Sequence, residues 1–260
     1  MLTIDRIAAF SDNYIWVLSS SGDGPTMVVD PGDAAPVRRW LQDQRRELGA
    51  ILITHHHADH TGGVRELNEE GRVPVLGPAR PELPFVTDQL RDGSRVSELG
   101  ISLEVLSTPG HTRDHLSFVG DGFALTGDTL FAGGCGRLFE GTAEQMYASL
   151  MRLAALPPAT KIYCGHEYTA ANLAFALEVE PENAALQERL QRALAARREG
   201  RATVPSTLAV ELATNPFLRC GEAAVFRAAS RFAGYRLSPG PETLAVVRRW
   251  KDGWTPAGGR

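Results

Sequence analysis

The sequence predicts an α/β protein: a larger N-terminal domain in which helices cover β-sheets, followed by a smaller α-helical domain. Up to about residue 168, short β-like runs alternate with turn residues and helical stretches, a pattern typical of helices packed on sheets. After Tyr168, clusters of β-branched residues become scarce and apolar residues recur at helical spacing. The 260 residues suffice for one large domain and a small one. We expect domains over 1–170 and 171–260.

Local patterns of apolar and turn-forming residues place the individual elements. Thr142 and Gln145 form a capping-box pattern, which predicts a helix that begins after Thr142. The proline-rich stretch 74–84 is predicted to be a loop. Apolar residues recur at helical spacing over 186–194 before Gly200 supplies a stop. Further helices are predicted over 223–232 and 242–250, and strands at 14–18, 26–29, 50–53, 103–106, 123–125 and 161–163.

Composition and charge narrow the class of protein. A content of 43% hydrophobic residues is sufficient for a full core. The formal net charge is -4 at pH 7 and the basic residues form no long run, so nucleic acid and membrane surfaces are not expected partners. Asp5, Arg6 and Asp12 interrupt the first apolar residues, which argues against a secretory signal. We therefore expect a soluble, cytoplasmic enzyme. A monomer is also expected, though composition does not test it.

The cysteines indicate a reducing compartment. There are three of them, an odd number without close paired spacing, at Cys135, Cys164 and Cys220. Neither a disulfide framework nor a thiolate zinc site is predicted. Although Cys135 and Cys164 lie near candidate ligands in the sequence, we expect small buried side chains at both positions.

The histidines indicate a metal site, because all seven lie in three short segments. These are His55, His56, His57 and His60; His111 and His115; and His166. Each segment, and also Asp128, directly follows a β-like run. Side chains that follow strands can meet at one edge of a sheet assembly. The sequence therefore predicts that these groups form one site.

The run THHHADH at residues 54–60 has a spacing suited to metal binding. Residues two apart can project to the same side, so His55 and His57 are expected to bind one ion while Asp59 and His60 serve a neighbouring one. Imidazole and carboxylate groups suit zinc, iron and manganese alike, and the two carboxylate oxygens of Asp128 allow it to bridge two ions. The pattern predicts a binuclear centre.

Three nearby polar residues are interpreted as supporting groups. His56 should point away from the ions, and neither His56 nor His115 has a clear place among the ligands. Both are interpreted as packing or hydrogen-bonding residues that fix a ligand's tautomer. Asp30, which ends the strand-like VVD, is either a comparable support or an ordinary turn carboxylate. The glycine-rich GGCGRLFEG lacks the ending of a P-loop and is interpreted as a loop over the site.

These motifs resemble a known family. THHHADH, TPGHT at 108–112, GDTLF at 127–131 and GHEY at 165–168 resemble the metallo-β-lactamase superfamily. More narrowly, CGRLFEGT, YCGHEYTAAN, TNPFLR and the terminal RRWKD are similar to glyoxalase II, the hydroxyacylglutathione hydrolases. The resemblance runs nearly end to end. It implies an αββα metallo-β-lactamase sandwich followed by a smaller helical, substrate-binding domain.

The resemblance also implies the roles of individual residues. One divalent ion would be bound by His55, His57 and His111, the second by Asp59, His60 and His166, with Asp128 bridging both. Zinc is the expected metal, with iron or manganese as alternatives. Asp59 and Asp128 would be the catalytic carboxylates beside a metal-bridging hydroxide. Glutathione would be bound at the positions of Arg137, Phe139, Tyr168, Asn172, Arg248 and Lys251.

Two of these substrate positions carry an alternative interpretation, and two others depart from the family pattern. By composition alone, Arg248, Arg249 and Lys251 would form a solvated helical face. Many family members have Lys and Tyr at the positions of Arg137 and Phe139. The positive charge is retained at Arg137, whereas the phenol hydroxyl is missing at Phe139. One substrate hydrogen bond is therefore in question.

The implied reaction is hydrolysis of the thioester of S-(2-hydroxyacyl)glutathione. With S-D-lactoylglutathione, the hydroxide would attack the carbonyl and release glutathione and D-lactate, the second step of methylglyoxal detoxification. A thiolate leaves readily, and no Ser-His-Asp nucleophile is indicated, so no acyl-enzyme is expected.

Three other functions remain open at this point. The persulfide dioxygenases share the histidine-rich motif but use a single iron; His166 and the helical C-terminal part favour the hydrolase. A lactonase or β-lactamase is disfavoured by the C-terminal motifs. A non-catalytic metal-binding module is disfavoured because no ligand position is degraded.

Overall fold

The chain divides into two compact units in a computed structural model, which describes residues 2–20, 22–69 and 71–255. Unit 1 comprises Met1–Ser107 and Asp114–Gly127, and unit 2 comprises Thr108–Arg113 and Asp128–Arg260. This division follows compactness, so the predicted domain boundary near residue 170 stays a prediction. Within the described ranges, no helix is long and apolar enough to cross a membrane.

Unit 1 contains the first ten strands and the first three helices of the described chain. They are β1 (Thr3–Ala9), β2 (Asn13–Ser19), β3 (Thr26–Val29), α1 (Ala34–Gln44), β4 (Leu48–Leu52), α2 (Ala58–Thr61), α3 (Val64–Leu67), β5 (Val75–Pro78), β6 (Asp88–Leu90), β7 (Arg95–Glu98), β8 (Ile101–Ser107), β9 (Leu116–Gly120) and β10 (Phe123–Gly127).

The first six strands form one sheet in chain order. β1, β2 and β3 pair antiparallel, whereas β3 to β6 pair parallel. Every side chain of β2 and β3 is buried, as expected for apolar strands covered on both faces. Val37 of α1 packs in a cluster with Ile15 and Val28. The sheet therefore provides a rigid base for the turns that follow β3 and β4.

The strands β7 to β10 run antiparallel to their neighbours in the order β10, β9, β8, β7. In the first five residues of β8, buried and exposed side chains alternate, which indicates one face on the core and one on solvent. The backbone N–H of Leu116, at the start of β9, donates to the Thr54 carbonyl at 2.8 Å. This bond ties the start of β9 to the turn after β4.

The prediction of a loop over 74–84 was wrong in part, because β5 lies within it. Ile51 and Leu52 of β4 pair in parallel with Val75 and Leu76. Pro78 is the last residue of β5, where the missing N–H of proline interrupts the fewest ladder hydrogen bonds. Burial of apolar Val75 and Leu76 in the sheet prevailed over the local turn propensity.

Unit 2 contains the remaining elements of the described chain. They are β11 (Leu130–Phe131), β12 (Gly134–Cys135), α4 (Ala143–Ala154), β13 (Lys161–Cys164), α5 (Thr169–Val179), α6 (Ala184–Arg198), β14 (Ser206–Thr207), α7 (Leu208–Thr214), α8 (Ala223–Ala233) and α9 (Pro241–Gly253). β11 and β12 form a short antiparallel hairpin, so the glycine-rich GGCGRLFEG is not entirely a loop.

The predicted helices of unit 2 are confirmed. Thr142 forms the capping box of α4: its hydroxyl accepts from the Gln145 N–H at 3.2 Å, and Gln145 Oε1 accepts from the Thr142 N–H at 3.0 Å. α6 ends at Arg198, and Gly200 follows with a φ of 69°, which favours glycine. α8 and α9 cover the remaining two predictions.

Candidate metal centre

The histidine run of unit 1 lies directly after β4 and continues into α2. His55 Nε2 lies 3.1 Å from His57 Nδ1, and His60 Nε2 lies 3.4 Å from Asp59 Oδ2. These are the two pairs that the spacing predicts. Imidazole nitrogens and carboxylate oxygens at such distances can hold a metal ion. Unit 1 thus brings four of the seven predicted ligands together, and their role as ligands stays a proposal.

Asp30 supports this run from the end of β3. Its carboxylate accepts from the Thr54 backbone N–H at 2.8 Å and from the Thr54 hydroxyl at 2.7 Å. His60 Nδ1 lies 3.0 Å from Asp30 Oδ2. Since a carboxylate only accepts, Nδ1 carries the proton and the lone pair of Nε2 is left for an ion. Asp30 has a φ of 53°, an unfavourable conformation for a non-glycine residue.

His56 and His115 have other neighbours in unit 1. His56 Nδ1 lies 3.0 Å from Asp114 Oδ1, and Arg80 Nη2 lies 3.5 Å from His56 Nε2. The buried His115 ring stacks on His55, with centroids 4.9 Å apart and planes at 26°. These contacts support packing and hydrogen-bonding roles, while exclusion of both residues from the ligand set stays a prediction.

Asn13 is a polar neighbour of the run that the sequence did not single out. Its Nδ2 donates to Asp59 Oδ2 at 3.0 Å. Asn13 is buried at the start of β2, directly before the mainly apolar residues of the strand. A polar residue at this position was the only local sign of a role for Asn13, and Asp59, to which it donates, lies 46 residues away.

Unit 2 brings together the other three predicted ligands. Asp128 Oδ2 lies 3.4 Å from His111 Nε2 and 3.4 Å from His166 Nε2. All three side chains are buried. His111 Nδ1 lies 2.8 Å from the Arg137 carbonyl oxygen, so Nδ1 carries the proton and Nε2 keeps its lone pair. One carboxylate oxygen thus faces two imidazoles, and the bridging role of Asp128 stays a prediction.

Glycine is required where the hairpin chain returns to Asp128. A Cβ atom at Gly136 would lie 2.0 Å from the Asp128 carbonyl oxygen and 3.0 Å from His111 Nδ1. No side chain fits there. The glycine-rich stretch therefore allows the backbone to pass close to two predicted ligands.

The proposed substrate residues also lie in unit 2. The Tyr168 ring stacks on His166 at a centroid distance of 4.7 Å and an angle of 4°. The Phe139 and His111 rings make a T-shaped contact, with 5.2 Å between centroids. Asn172 Nδ2 donates to the Ala132 carbonyl at 3.0 Å. Two aromatic rings of unit 2 therefore lie against predicted metal ligands of the same unit.

Of the three positive residues near the end of α9, Arg249 is exposed, as expected of a solvated face, whereas Arg248 and Lys251 are not. Arg248 is only 4% exposed; its Nη1 donates to the Cys135 carbonyl at 2.9 Å, and its Nη2 lies 3.0 Å from Asp252 Oδ1. Arg137 Nε lies 3.6 Å from that oxygen. Lys251 Nζ donates to Asn172 Oδ1. The interpretation from composition is thus wrong for Arg248, which is buried, and for Lys251, which is partly buried by contacts within unit 2.

Burial changes the acid–base behaviour of this region. The pKa of Lys251 is lowered to about 7, first by burial and then by the positive charge of Arg248. Burial also raises the pKa of the Cys135 thiol, an effect that Arg248 opposes, and it raises the pKa of Cys164 to about 12. All three cysteines are buried and none is in a disulfide, as predicted for Cys135 and Cys164, so none is a ready thiolate nucleophile.

Comparison with known proteins agrees with this arrangement. The sequence profile of the metallo-beta-lactamase superfamily matches residues 9–92 and 76–166, and that of the hydroxyacylglutathione hydrolase C-terminus matches residues 167–254. Among solved structures, ETHE1 from Myxococcus xanthus has a TM-score of 0.65 at 24% identity, covering 96% of this chain and 98% of that chain. The di-iron-bound form of TTHA1623 has a TM-score of 0.59 at 26% identity, covering 83% of this chain and 100% of that chain.

The class and the family follow from these matches. The fold is that of the metallo-β-lactamase superfamily, and its His and Asp groups indicate divalent metal binding. The hydroxyacylglutathione hydrolase of Alkalilimnicola ehrlichii is 56% identical over 254 residues, which cover 97% of this chain and 99% of the relative. The chain belongs to the hydroxyacylglutathione hydrolase family.

Proposed function

We propose that the protein hydrolyses the thioester of S-(2-hydroxyacyl)glutathione, with S-D-lactoylglutathione as the substrate and glutathione and D-lactate as the products. The observation that carries this proposal is the 56% identity to a hydroxyacylglutathione hydrolase across nearly the whole of both chains. The arrangement of polar groups within each unit supports it. We also propose that the enzyme is a cytoplasmic monomer, which gel filtration and cell fractionation test.

The chemistry of the donor set fits two divalent ions. It consists of five imidazoles and two carboxylates, which suit zinc, iron and manganese. We propose that His55, His57 and His111 hold one ion, that Asp59, His60 and His166 hold the other, and that Asp128 bridges them, with zinc as the leading metal. When bound, such ions supply an activated water and positive charge for a developing oxyanion.

The chain's own residues prepare these groups for the reaction. Asp30 and the Arg137 carbonyl hold the protons on Nδ1 of His60 and His111, so both Nε2 atoms are available as ligands. We assign to Asp59 and Asp128 the role of accepting hydrogen bonds from the attacking water and orienting it. A thiol has a pKa near about 8.5, so the departing sulfur needs no strong general acid.

Substrate recognition is assigned to unit 2. Glutathione carries two carboxylates, for which guanidinium and ammonium groups are the natural partners. We propose that Arg137, Arg248 and Lys251 supply positive charge, and that Tyr168, Asn172 and the ring of Phe139 shape the contact. In this proposal residues 1–170 carry the catalysis and three of the substrate contacts, and 171–260 supply the other three, at Asn172, Arg248 and Lys251.

The test is a direct assay on purified protein loaded separately with zinc, iron or manganese. S-D-lactoylglutathione should lose its thioester absorbance while one thiol appears for each thioester lost. Metal analysis should give two ions per chain. No thiol release under any metal would contradict the assignment. Oxygen consumption with glutathione persulfide and a single bound iron would establish the dioxygenase instead.

A further inference from the structure

The hairpin β11–β12 of unit 2 orients groups assigned above to substrate binding. The Cys135 carbonyl accepts from Arg248 Nη1 at 2.9 Å. The Ala132 carbonyl accepts from Asn172 Nδ2 at 3.0 Å, and Asn172 Oδ1 in turn accepts from Lys251 Nζ. Two backbone carbonyls of one hairpin thus fix the positions of two cationic side chains.

The hairpin is too short to hold its own shape. Each strand has two residues, and isolated hairpins are marginal in water even when they are longer. Its tip at Gly133 has a φ of 70°, and a Cβ atom there would lie 2.7 Å from Leu173 Cδ2. The conformation must therefore be imposed by neighbouring groups.

Two fully buried side chains, Glu211 in α7 and Asn215 immediately after it, supply that constraint. Glu211 Oε2 accepts from the Gly133 N–H at 2.8 Å. Asn215 Nδ2 faces the carbonyl oxygens of Phe131 at 3.2 Å and Gly134 at 3.0 Å, and also lies 3.2 Å from Glu211 Oε2. The two side chains therefore bind the N–H at the tip and one carbonyl of each strand.

The other carboxylate oxygen of Glu211 is directed away from the hairpin. Glu211 Oε1 accepts from Arg189 Nη2 and from the Ser206 hydroxyl. Arg189 Nη1 donates to the Thr214 hydroxyl at 2.6 Å. Buried ion pairs contribute little net stability and are often replaceable by apolar groups. The negative charge of Glu211 is neutralised on one side by Arg189, and its other oxygen binds a hairpin N–H. This arrangement suits a role in positioning the hairpin better than a role in stabilising the fold.

We propose that Glu211 and Asn215 are positioning residues for substrate binding: through the hairpin carbonyls of Ala132 and Cys135 they set the geometry of Lys251 and Arg248. This inference rests on the proposed function. It deepens that function by assigning a role to α7, which holds none of the proposed substrate-binding residues.

The test uses Glu211→Gln, with Thr214→Val as the matched control. Glutamine keeps the shape of the side chain but carries one NH₂ group, which must face either the Gly133 N–H or the Arg189 guanidinium, so a donor meets a donor. Thr214→Val removes a hydrogen bond from the same buried network on the side away from the hairpin. Asn215→Ala serves as the second variant.

The expected result separates KM from kcat. Glu211→Gln and Asn215→Ala should raise KM about tenfold, the effect of losing a well-placed charged contact, with kcat within about twofold. Thr214→Val should lower Tm by about as much as Glu211→Gln and Asn215→Ala do, but it should leave KM unchanged. Hydrogen exchange of the peptide over residues 130–135 should accelerate in the first two variants only. Calorimetric titration of glutathione should show the same tenfold weakening.

Three outcomes would overturn the inference: unchanged KM in folded Glu211→Gln and Asn215→Ala, an equal rise in KM in Thr214→Val, or a fall in kcat alone. If Glu211→Gln does not fold, Asn215→Ala decides by the same criteria. If the unmodified protein hydrolyses no thioester, the proposed function fails. Hydrogen exchange and glutathione titration then still decide the inference, since neither requires turnover.

Discussion

The histidine run of unit 1 and the cationic end of α9 in unit 2 are held in different ways. In unit 1, His55, His57, Asp59 and His60 come from six consecutive residues, and their main support is the carboxylate of Asp30. In unit 2, Arg248 and Lys251 depend on partners 113 and 79 residues away. The first group is placed by its own turn and by Asp30, whereas the position of the second depends on distant segments of unit 2.

The largest effect is expected at Asp128, where one carboxylate serves both proposed ions. Asp128→Ala should lower kcat/KM at least about a thousandfold, equivalent to ~4 kcal/mol of lost transition-state stabilisation. Metal content should fall in parallel, and a chelator should inactivate the unmodified protein in the same way. Inductively coupled plasma measurements and the thioester assay give both numbers. An active, metal-free variant would refute the metal centre.

The second effect tests the support behind the histidine run. Asp30→Asn should weaken metal binding or activity by about 10- to 100-fold, because the amide no longer fixes the proton on Nδ1 of His60 as a carboxylate does. Asp33→Asn is the matched control, because Asp33 caps α1 through a bond to the Ala35 N–H that asparagine also makes. If Asp30→Asn matched Asp33→Asn in both metal content and activity, Asp30 would be an ordinary turn residue.

The same contrast explains what could be predicted from the sequence. The metal-binding motif could be predicted because its residue types and spacing are local in the sequence. Strands β2, β3, β8 and β10 could be predicted because their apolar residues are also local in the sequence. By contrast, β1 carries Asp5 and Arg6 within its span and was missed, since its place in the sheet depends on pairing with β2. β5 was interpreted as loop for the same reason.

The cationic residues proposed to bind the substrate were predicted only from the family resemblance. Their composition indicated a solvated face. No residue close to Arg248 in the sequence indicates that its side chain will be buried and will donate to the Cys135 carbonyl. The sequence also did not predict a role for Glu211 or Asn215, although Asn215 lies within the motif TNPFLR. Their partners lie at least 78 residues away, at Gly133, Phe131 and Gly134. Contacts of that range follow from the tertiary fold and not from local pattern.

A third, intermediate effect concerns pH and Lys251. Its pKa is about 7, so the ammonium is charged below that pH and neutral above it. KM for an anionic substrate should therefore rise as pH increases through about 7, by about tenfold if the contact is a charged hydrogen bond. Lys251→Arg should lose this dependence, since guanidinium stays protonated. A flat KM profile in the unmodified protein would contradict the role of Lys251.

As pH rises through the pKa of Lys251, the protein should become more stable, whereas substrate binding should become weaker. The folded pKa is depressed from 10.5, so between the two pKa values the unfolded chain binds the extra proton. The free energy of unfolding from this group therefore increases as pH rises from about 7 toward about 10.5. Below about 7 the full cost of burying the charge is present. Tm of the unmodified protein relative to Lys251→Met should accordingly improve at alkaline pH.

The smallest effect is expected at Phe139, which is 62% exposed and whose ring makes a T-shaped contact with His111. Phe139→Tyr adds the hydroxyl that many family members carry. One neutral hydrogen bond to glutathione would lower KM by about 2- to 10-fold, from ~0.5 to ~1.5 kcal/mol. Phe139→Leu, which keeps the apolar bulk without the ring edge, separates a hydrogen bond from support of His111. If Phe139→Tyr leaves KM unchanged while Phe139→Leu lowers kcat, the residue supports the histidine and does not meet the substrate. In that case α9, α5 and the hairpin would carry recognition without it.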